Sequence, residues 1–340
     1  MKKMLVIHHN DDDGVAAAGV MGYEYCSEYE IDYIEADYTT PLNTVVQRAP
    51  FDINEYSRVA LVDYSISTER NARFIINHMK GTRADDYDLI WIDHHKSSID
   101  TIKKYPILSQ ITGVRMIGMS ASLLAFLVYN PSEIFYEIMG NRNDTYDAIT
   151  IEEMDSIILE YISDEYCAIP TTLLHVNAYD IWDHRNPNIK LFHYGYNIKT
   201  PQDFIKILKD DSYDTQVYSN SIYAGKIILD YVNRRNKEAV DDYGFEFCIK
   251  YNGRDLKAFA LNTTERTSLT FGEKMKVYDV CVPFSYNGKT DKWVYSIYTE
   301  KDDIDCSIIA KNYGGGGHQQ AAGFSSDELW IFPDTILFID

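Results

Sequence analysis

The sequence predicts an α/β protein. An N-terminal, mostly parallel, doubly wound sheet domain is followed by a smaller C-terminal α+β domain, and a long helix joins them. Three observations carry this. Over the first 130 residues, short apolar strands alternate with helix-like segments, the pattern of a parallel sheet with crossover helices. Residues 216–240 read as one long helix, rich in charge towards Arg234-Arg235-Asn236-Lys237-Glu238. Past Tyr243 the texture changes to short alternating strands. We divide the 340 residues into a domain at 1–205, a helical connector at 206–243 and a second domain at 244–340.

The elements follow in order. Met4-Leu5-Val6-Ile7 is an apolar strand that runs into His8-His9-Asn10-Asp11-Asp12-Asp13-Gly14. Gly14 suits a chain turning sharply into a helix, here the small-residue stretch Val15–Met21. Val59-Ala60-Leu61-Val62 is a second strand, ending at Asp63. The helix after it has Ser67 or Thr68 as its N-cap. Leu89-Ile90-Trp91-Ile92 ends in Asp93-His94-His95-Lys96. Residues 118–184 read largely as helix, with apolar residues at helical spacing around Met154–Ile162 and a further acidic motif at Tyr179-Asp180-Ile181-Trp182-Asp183. Phe245–Ile249 and Trp293–Ile297 are strands of the second domain, and Asn287-Gly288-Lys289 signals a hairpin. Gly314-Gly315-Gly316-Gly317-His318 precedes a small-residue segment expected to be helical.

Composition limits the function. A net charge of −20 argues against broad binding to nucleic-acid backbones, which needs clustered Lys and Arg. A phosphate substrate would have to be attracted locally, and bound cations can do that. Cysteines 26, 167, 248, 281 and 306 are scattered without a C-x-x-C pair, as in a reduced, cytoplasmic protein. Met4–Ile7 is too short for a signal peptide. The apolar stretch around Leu123–Val128 is too short to span a bilayer, so no membrane role is expected.

The chemistry lies in the strand-end clusters. In a parallel sheet, carboxylates and imidazoles just past three strand ends come side by side. In His9-x-Asp11-x-Asp13, alternate residues can converge on one side of a turn. Imidazole with several carboxylates suits Mn²⁺ or a similar first-row cation, whereas a structural zinc site favours cysteine. Asp63 is the natural bridge between residues 9–13 and His94. Two metals about 3.5–4 Å apart on a shared carboxylate clamp a phosphate for in-line attack. Singly, an Asp-rich turn is most often a solvated loop, Asp63 a cap and His94 an ordinary histidine. Together the balance shifts, because histidines 8, 9, 94, 95 and 318, five of nine, fall in the motifs. Other signatures fail. Gly288-Lys289-Thr290 resembles the end of a P-loop, but position 283 is proline where glycine is required. The four glycines at 314–317 let backbone amides approach an anion closely.

On these motifs the chain resembles the DHH phosphoesterase superfamily, in the subgroup with a glycine-rich C-terminal substrate domain. RecJ-like exonucleases, oligoribonucleases and cyclic-dinucleotide phosphodiesterases belong there. The motifs are His9-x-Asp11-x-Asp13-Gly14, Asp63, Asp93-His94-His95, Asp180 and Gly314–Gly323, and the resemblance covers nearly the whole chain. It implies one metal on His9, Asp11 and Asp63, and a second on Asp13, Asp63, His94 and Asp180. It implies that His95 contacts the scissile phosphate, with Asp93 and Asp63 completing the catalytic set. Gly315, Gly316, Gly317 and His318 would hold the substrate's other end. Such proteins typically use two Mn²⁺, with Mg²⁺ or Co²⁺ as substitutes. Two departures stand out. Tyr298, in Ser296-Ile297-Tyr298-Thr299, stands where many relatives have a substrate-gripping arginine, and Arg254, Arg266 and Lys274 are the cations that would compensate. In the fourth motif both Asp180 and Asp183 are candidates; Asp180 is preferred because it precedes Ile-Trp as in similar sequences.

The function expected is therefore a cytoplasmic Mn-dependent phosphodiesterase with a dinuclear site at the domain interface. Its substrate would be a short single-stranded oligonucleotide or dinucleotide, cut from one end to mononucleotides, and a homodimer is compatible with the sequence. Alternatives are a cyclic or linear dinucleotide phosphodiesterase, a 3′-phosphoadenosine 5′-phosphate phosphatase and an inorganic pyrophosphatase. Outside the enzymes stands a nucleotide-binding regulator, against which the intact ligand set argues.

Overall fold

The computed structural model describes residues 1–37, 40–81, 88–140, 148–163, 168–317, 319–329, 331 and 336–339. The chain divides into two units, Met1–Lys226 and Ile227–Asp340. In the first, β1 (Lys2–His9), β2 (Tyr29–Ala36), β3 (Arg58–Val62) and β4 (Asp88–Ile92) form a parallel sheet in the order β2-β1-β3-β4. Side chains alternate across it. Met4, Val6, Ala60, Val62, Ile90 and Ile92 enter one core, and Leu5, Ile7, Val59, Leu61, Leu89 and Trp91 enter the other. The middles of β1, β3 and β4 are continuously apolar because both their faces are covered, whereas the edge strand β2 keeps Glu30, Asp32 and Glu35. Helices Asp12–Tyr25, Ala121–Tyr129 and Thr171–Asp180 contribute to the first core, and Glu69–Gly81 to the second. The fold is α/β with a doubly wound parallel sheet, as the alternation predicts.

The order of the strands positions the site. From β1 the chain winds to β2 on one side and then crosses to β3 on the other. The C-terminal ends of β1 and β3 therefore flank the point where the winding reverses, where open α/β sheets bind ligands. Register keeps those ends level: His8 pairs with Val62, and Val62 with Ile92.

Local chemistry sets the boundaries. The Asp11 carboxylate caps helix Asp12–Tyr25 by accepting from the Gly14 amide at 2.9 Å. Position 14 has no room for a side chain, since a Cβ there would lie 2.2 Å from the His9 carbonyl oxygen. Thr68 Oγ1 accepts from the Asn71 amide at 3.2 Å and caps helix Glu69–Gly81. The helical stretch holds Ala121–Tyr129, Glu133–Gly140, Ile151–Ser163 and Thr171–Asp180. Helix Asp211–Tyr243 carries the boundary between the units.

The second unit is built on a mixed sheet of β5 (Phe245–Tyr251), β6 (Arg254–Asn262), β7 (Val280–Asn287), β8 (Lys292–Tyr298), β9 (Gly316–Gly317), β10 (Ala321–Ser326) and β11 (Ile336–Ile339). Their order is β11-β5-β6-β7-β8-β10-β9. One expectation is corrected here. The small-residue segment after the glycine run is not a helix but β10, antiparallel to β8. Its period is two: Ala322 and Phe324 enter the core, while Gly323 lies against the backbone of Tyr295. Gly315 and Gly317 serve the same close approach, since a Cβ would lie 2.2 Å from the Gly323 oxygen or 2.5 Å from the Ala322 Cα. No described helix is long and apolar enough to cross a membrane, and Cys26, Cys248, Cys281 and Cys306 are free thiols.

Candidate metal centre

The ends of β1, β3 and β4 and the end of helix Thr171–Asp180 bring seven donors together in three overlapping groups: His9, Asp11 and Asp63; Asp13, His94 and Asp180; and Asp63, His94 and His95. Asp63 follows β3, and its amide donates to the Ile92 carbonyl at 3.0 Å. It is 1% exposed and holds a left-handed φ of 52°, which aspartate tolerates better than most residues. Its two oxygens face different partners. Oδ2 lies 3.8 Å from His9 Nδ1, whereas Oδ1 lies 3.3 Å from His94 Nε2 and 3.7 Å from His95 Nδ1. His9 Nδ1 is also 2.6 Å from Asp11 Oδ2. His94 Nε2 lies 3.3 Å from Asp180 Oδ2 and 3.9 Å from Asp13 Oδ2.

Asp13 and His95 are held from behind. Asp13 accepts from the Ala121 amide at 2.8 Å and the Ser122 amide at 3.0 Å, at the start of helix Ala121–Tyr129, and from the Ser122 hydroxyl. This places a carboxylate at the positive end of a helix. Asp93 is fully buried. It bonds His95 Nδ1 at 2.8 Å, accepts from the His94 amide at 2.9 Å and accepts from the Ser98 hydroxyl. Asp93 thus orients His95 rather than joining a donor group. Asp180 ends helix Thr171–Asp180, whose first amides, on Thr171 and Thr172, donate to Asp214 at 2.8 and 3.0 Å.

The electrostatics follow from crowding. Burial pushes Asp63 well above the usual carboxylate range, reinforced by Asp13, Asp11, Asp93 and Asp180. Burial also raises Asp180, with Asp13, Asp11 and Asp93, to about 9. Burial lowers His94, although the carboxylates oppose it. For His95 burial also acts downward, but the bond to Asp93 and the nearby charges outweigh it and hold the imidazole above its ordinary value. Among the described residues neither His94 Nε2 nor Asp180 Oδ2 finds a hydrogen-bond partner, though each atom is buried. Carboxylates and imidazoles crowded in this way fit divalent cations, which would replace protons as the compensating charge.

Asp183 points elsewhere. It accepts from Arg185 Nε at 2.8 Å, and Arg185 also pairs with Asp155 at 2.6 Å. Gly315, Gly316, Gly317 and Arg266 belong to the second unit, and His318 lies outside the described residues. Tyr298 donates through its hydroxyl to the Arg266 carbonyl at 2.5 Å. Arg254 pairs with Asp303 at 2.6 Å, and Lys274 Nζ sits 5.0 Å over the Phe259 ring. Sequence reasoning missed Ser98 and Ser122, which are remote in the chain from the carboxylates they hold or are common residue types. It also missed Asp12 and His193, which line a cavity beside the donor groups.

No family profile matches the chain. An uncharacterized protein of Acanthamoeba polyphaga mimivirus, R106, is 27% identical over 167 residues, covering 46% of this chain and 37% of that protein. The match thus spans little more than a third of the relative's length. Among solved structures, a pGpG-specific phosphodiesterase from Vibrio cholerae superposes with a TM-score of 0.44 at 11% identity, covering 95% of this chain and 93% of that one. An exopolyphosphatase-related protein from Bacteroides fragilis gives 0.43 at 14% identity, covering 97% and 88%.

Proposed function

We propose that the protein is a divalent-metal-dependent phosphodiesterase acting on short oligonucleotides, releasing mononucleotides from one end. The observation that carries this reading is Asp63, whose two oxygens face separate donor groups across 3.8 and 3.3 Å. In this proposal His9, Asp11 and Asp63 hold one cation, and Asp13, Asp63, His94 and Asp180 hold the second. Bound there, the cations would lower the pKa of a water and neutralise phosphate oxygens. The chain's own contribution is placement. Asp93 keeps the proton of His95 on Nδ1, which leaves the other ring nitrogen to meet a phosphate oxygen. In the metal-free protein the bond to Asp93 and the nearby carboxylates hold the His95 imidazole above its ordinary value. Gly315, Gly316, Gly317, His318 and Arg266 are proposed to hold the far end of the substrate.

The test is a substrate panel with Mn²⁺, Mg²⁺ and Co²⁺. It contains RNA and DNA of two to twenty nucleotides, cyclic dinucleotides, 3′-phosphoadenosine 5′-phosphate and pyrophosphate. The expected result is Mn²⁺-dependent release of mononucleotides, fastest on the shortest chains. Turnover of pyrophosphate alone, or of nothing, overturns the reading.

A further inference from the structure

Beside the donor groups lies a cavity of about 170 Å³, with Asp11, Asp13 and Asp180 on its acidic side. Its other side is aromatic: Tyr179, Trp182, Phe192 and His193. The rings of Tyr179 and His193 are stacked, with centroids 3.6 Å apart and planes 7° apart. His193 is steadied by Asp12, whose carboxylate lies 3.7 Å from His193 Nδ1 and 3.0 Å from Lys199 Nζ. Asp12 is therefore the one member of the Asp11–Asp13 run turned to the aromatic side.

Trp182 is the unusual member. Helix Thr171–Asp180 ends in a Schellman pattern, with the Trp182 amide bonded to the Tyr179 carbonyl at 3.2 Å and the Asp183 amide to the Ala178 carbonyl at 2.8 Å. The residue after the C-cap of that motif is left-handed and is usually glycine, because a Cβ is penalised there. Here it is a tryptophan with a φ of 60°, and it is 71% exposed. A bulky residue in this conformation is an outlier, and an exposed indole gains little by burial. Its contacts, a parallel arrangement on Tyr179 at 6.4 Å and an edge contact with His184 at 5.4 Å, leave most of the ring open. Local stability alone would select glycine or asparagine.

We propose that Trp182, backed by the Tyr179–His193 stack, is a nucleobase-binding wall, on which the purine or pyrimidine next to the reacting phosphate stacks. The site is acidic and the chain carries a net charge of −20, so backbone electrostatics contribute little affinity for a nucleotide. Base stacking on aromatics is independent of charge and tolerant of sequence. The wall would accept any base and favour nucleotides over base-free phosphates. This inference rests on the phosphodiesterase reading for the position of the phosphate.

The experiment has two arms, each using wild type and Trp182→Gly, a change that suits the left-handed backbone. In the first, tryptophan emission is followed while adenosine 5′-monophosphate or ribose 5-phosphate is added in the presence of Mn²⁺. Adenosine monophosphate should quench wild type and bind at least tenfold more tightly than ribose 5-phosphate, and the variant should lose both differences. In the second, kcat/KM is compared for a dinucleotide and for the same molecule lacking one base. Wild type should prefer the complete dinucleotide about 10- to 100-fold, the range given by the stacking of one base, and the variant should bring the ratio within about threefold. Equal binding of the two phosphates by wild type, or an unchanged ratio in the variant, overturns the wall. If both diesters are cleaved equally well by wild type, the wall falls and the phosphodiesterase stands. If neither is cleaved with any divalent cation, the phosphodiesterase reading falls and the emission arm still decides the wall.

Discussion

Replacing Asp180 with asparagine removes one charge and almost no volume, and its effects should run in opposite directions with and without metal. In the metal-free protein, burial and the neighbouring carboxylates raise Asp180 from 3.8 to about 9. At pH 7 the folded chain must therefore keep a proton that the unfolded chain has released. Each pH unit of that gap is worth about 1.4 kcal/mol. From 3.8 to 7 the cost is on the order of 4 kcal/mol, and partial exposure of the side chain, 23%, trims it to about 2–3 kcal/mol. Asp180→Asn relieves it, so the metal-free variant should melt about 5–10 °C above wild type at pH 7. The gain should shrink as pH falls towards 3.8, where the unfolded chain also holds the proton. With Mn²⁺ the order reverses, because the variant lacks a charged donor beside His94 Nε2. Metal affinity should fall by about 10- to 100-fold, and activity with it. Asp183→Asn is the control. Asp183 pairs with the half-exposed Arg185, so the loss should be within about 1 kcal/mol, with metal affinity kept. Thermal melts with chelator and with Mn²⁺ at pH 5, 7 and 8.5, alongside calorimetric metal titration, measure all of this. A metal-free Asp180→Asn protein no more stable than wild type at pH 7, or metal loss in Asp183→Asn instead, refutes the reasoning.

Three other outcomes are expected. Asp63→Ala should reduce bound Mn²⁺ from two ions to one or none and lower turnover by about a thousandfold or more, with the fold retained on circular dichroism; near wild-type turnover would sink the shared-carboxylate reading. The rise in melting temperature on adding saturating Mn²⁺ should grow from pH 5 to pH 8, because the metal-free fold loses stability as pH climbs towards the raised pKa of Asp180; a larger rise at pH 5 would contradict it. Gly14→Ala places a Cβ 2.2 Å from the His9 carbonyl oxygen, and overpacking of that kind costs about 1–3 kcal/mol; a melt showing no loss would mean the turn has room that its geometry denies.

Much of the centre was legible in the sequence because its donors sit at the ends of apolar strands, and a strand is a local object. Four or five buried residues followed by Asp63, or by Asp93-His94-His95, announce both the strand and the end that faces the site. Parallel winding then places such ends together whatever the details. The helical stretch and the hairpin between β7 and β8 were legible for the same reason. Tertiary structure alone placed β1 between β2 and β3, which makes the end of β1 a reversal point. It also brought Ser122 to Asp13 across 109 positions, a pairing no local pattern encodes. The choice between Asp180 and Asp183 turns on Arg185 and Asp155, and hence on how a helix end packs. The run after the glycines resembled a helix because small residues suit one. It became β10 because alternate side chains found a core on one face and the backbone of β8 lay alongside. Local sequence determines which groups stand at a strand's end, whereas their partners depend on long-range packing, which brings together residues far apart in the chain, such as Asp13 and Ser122.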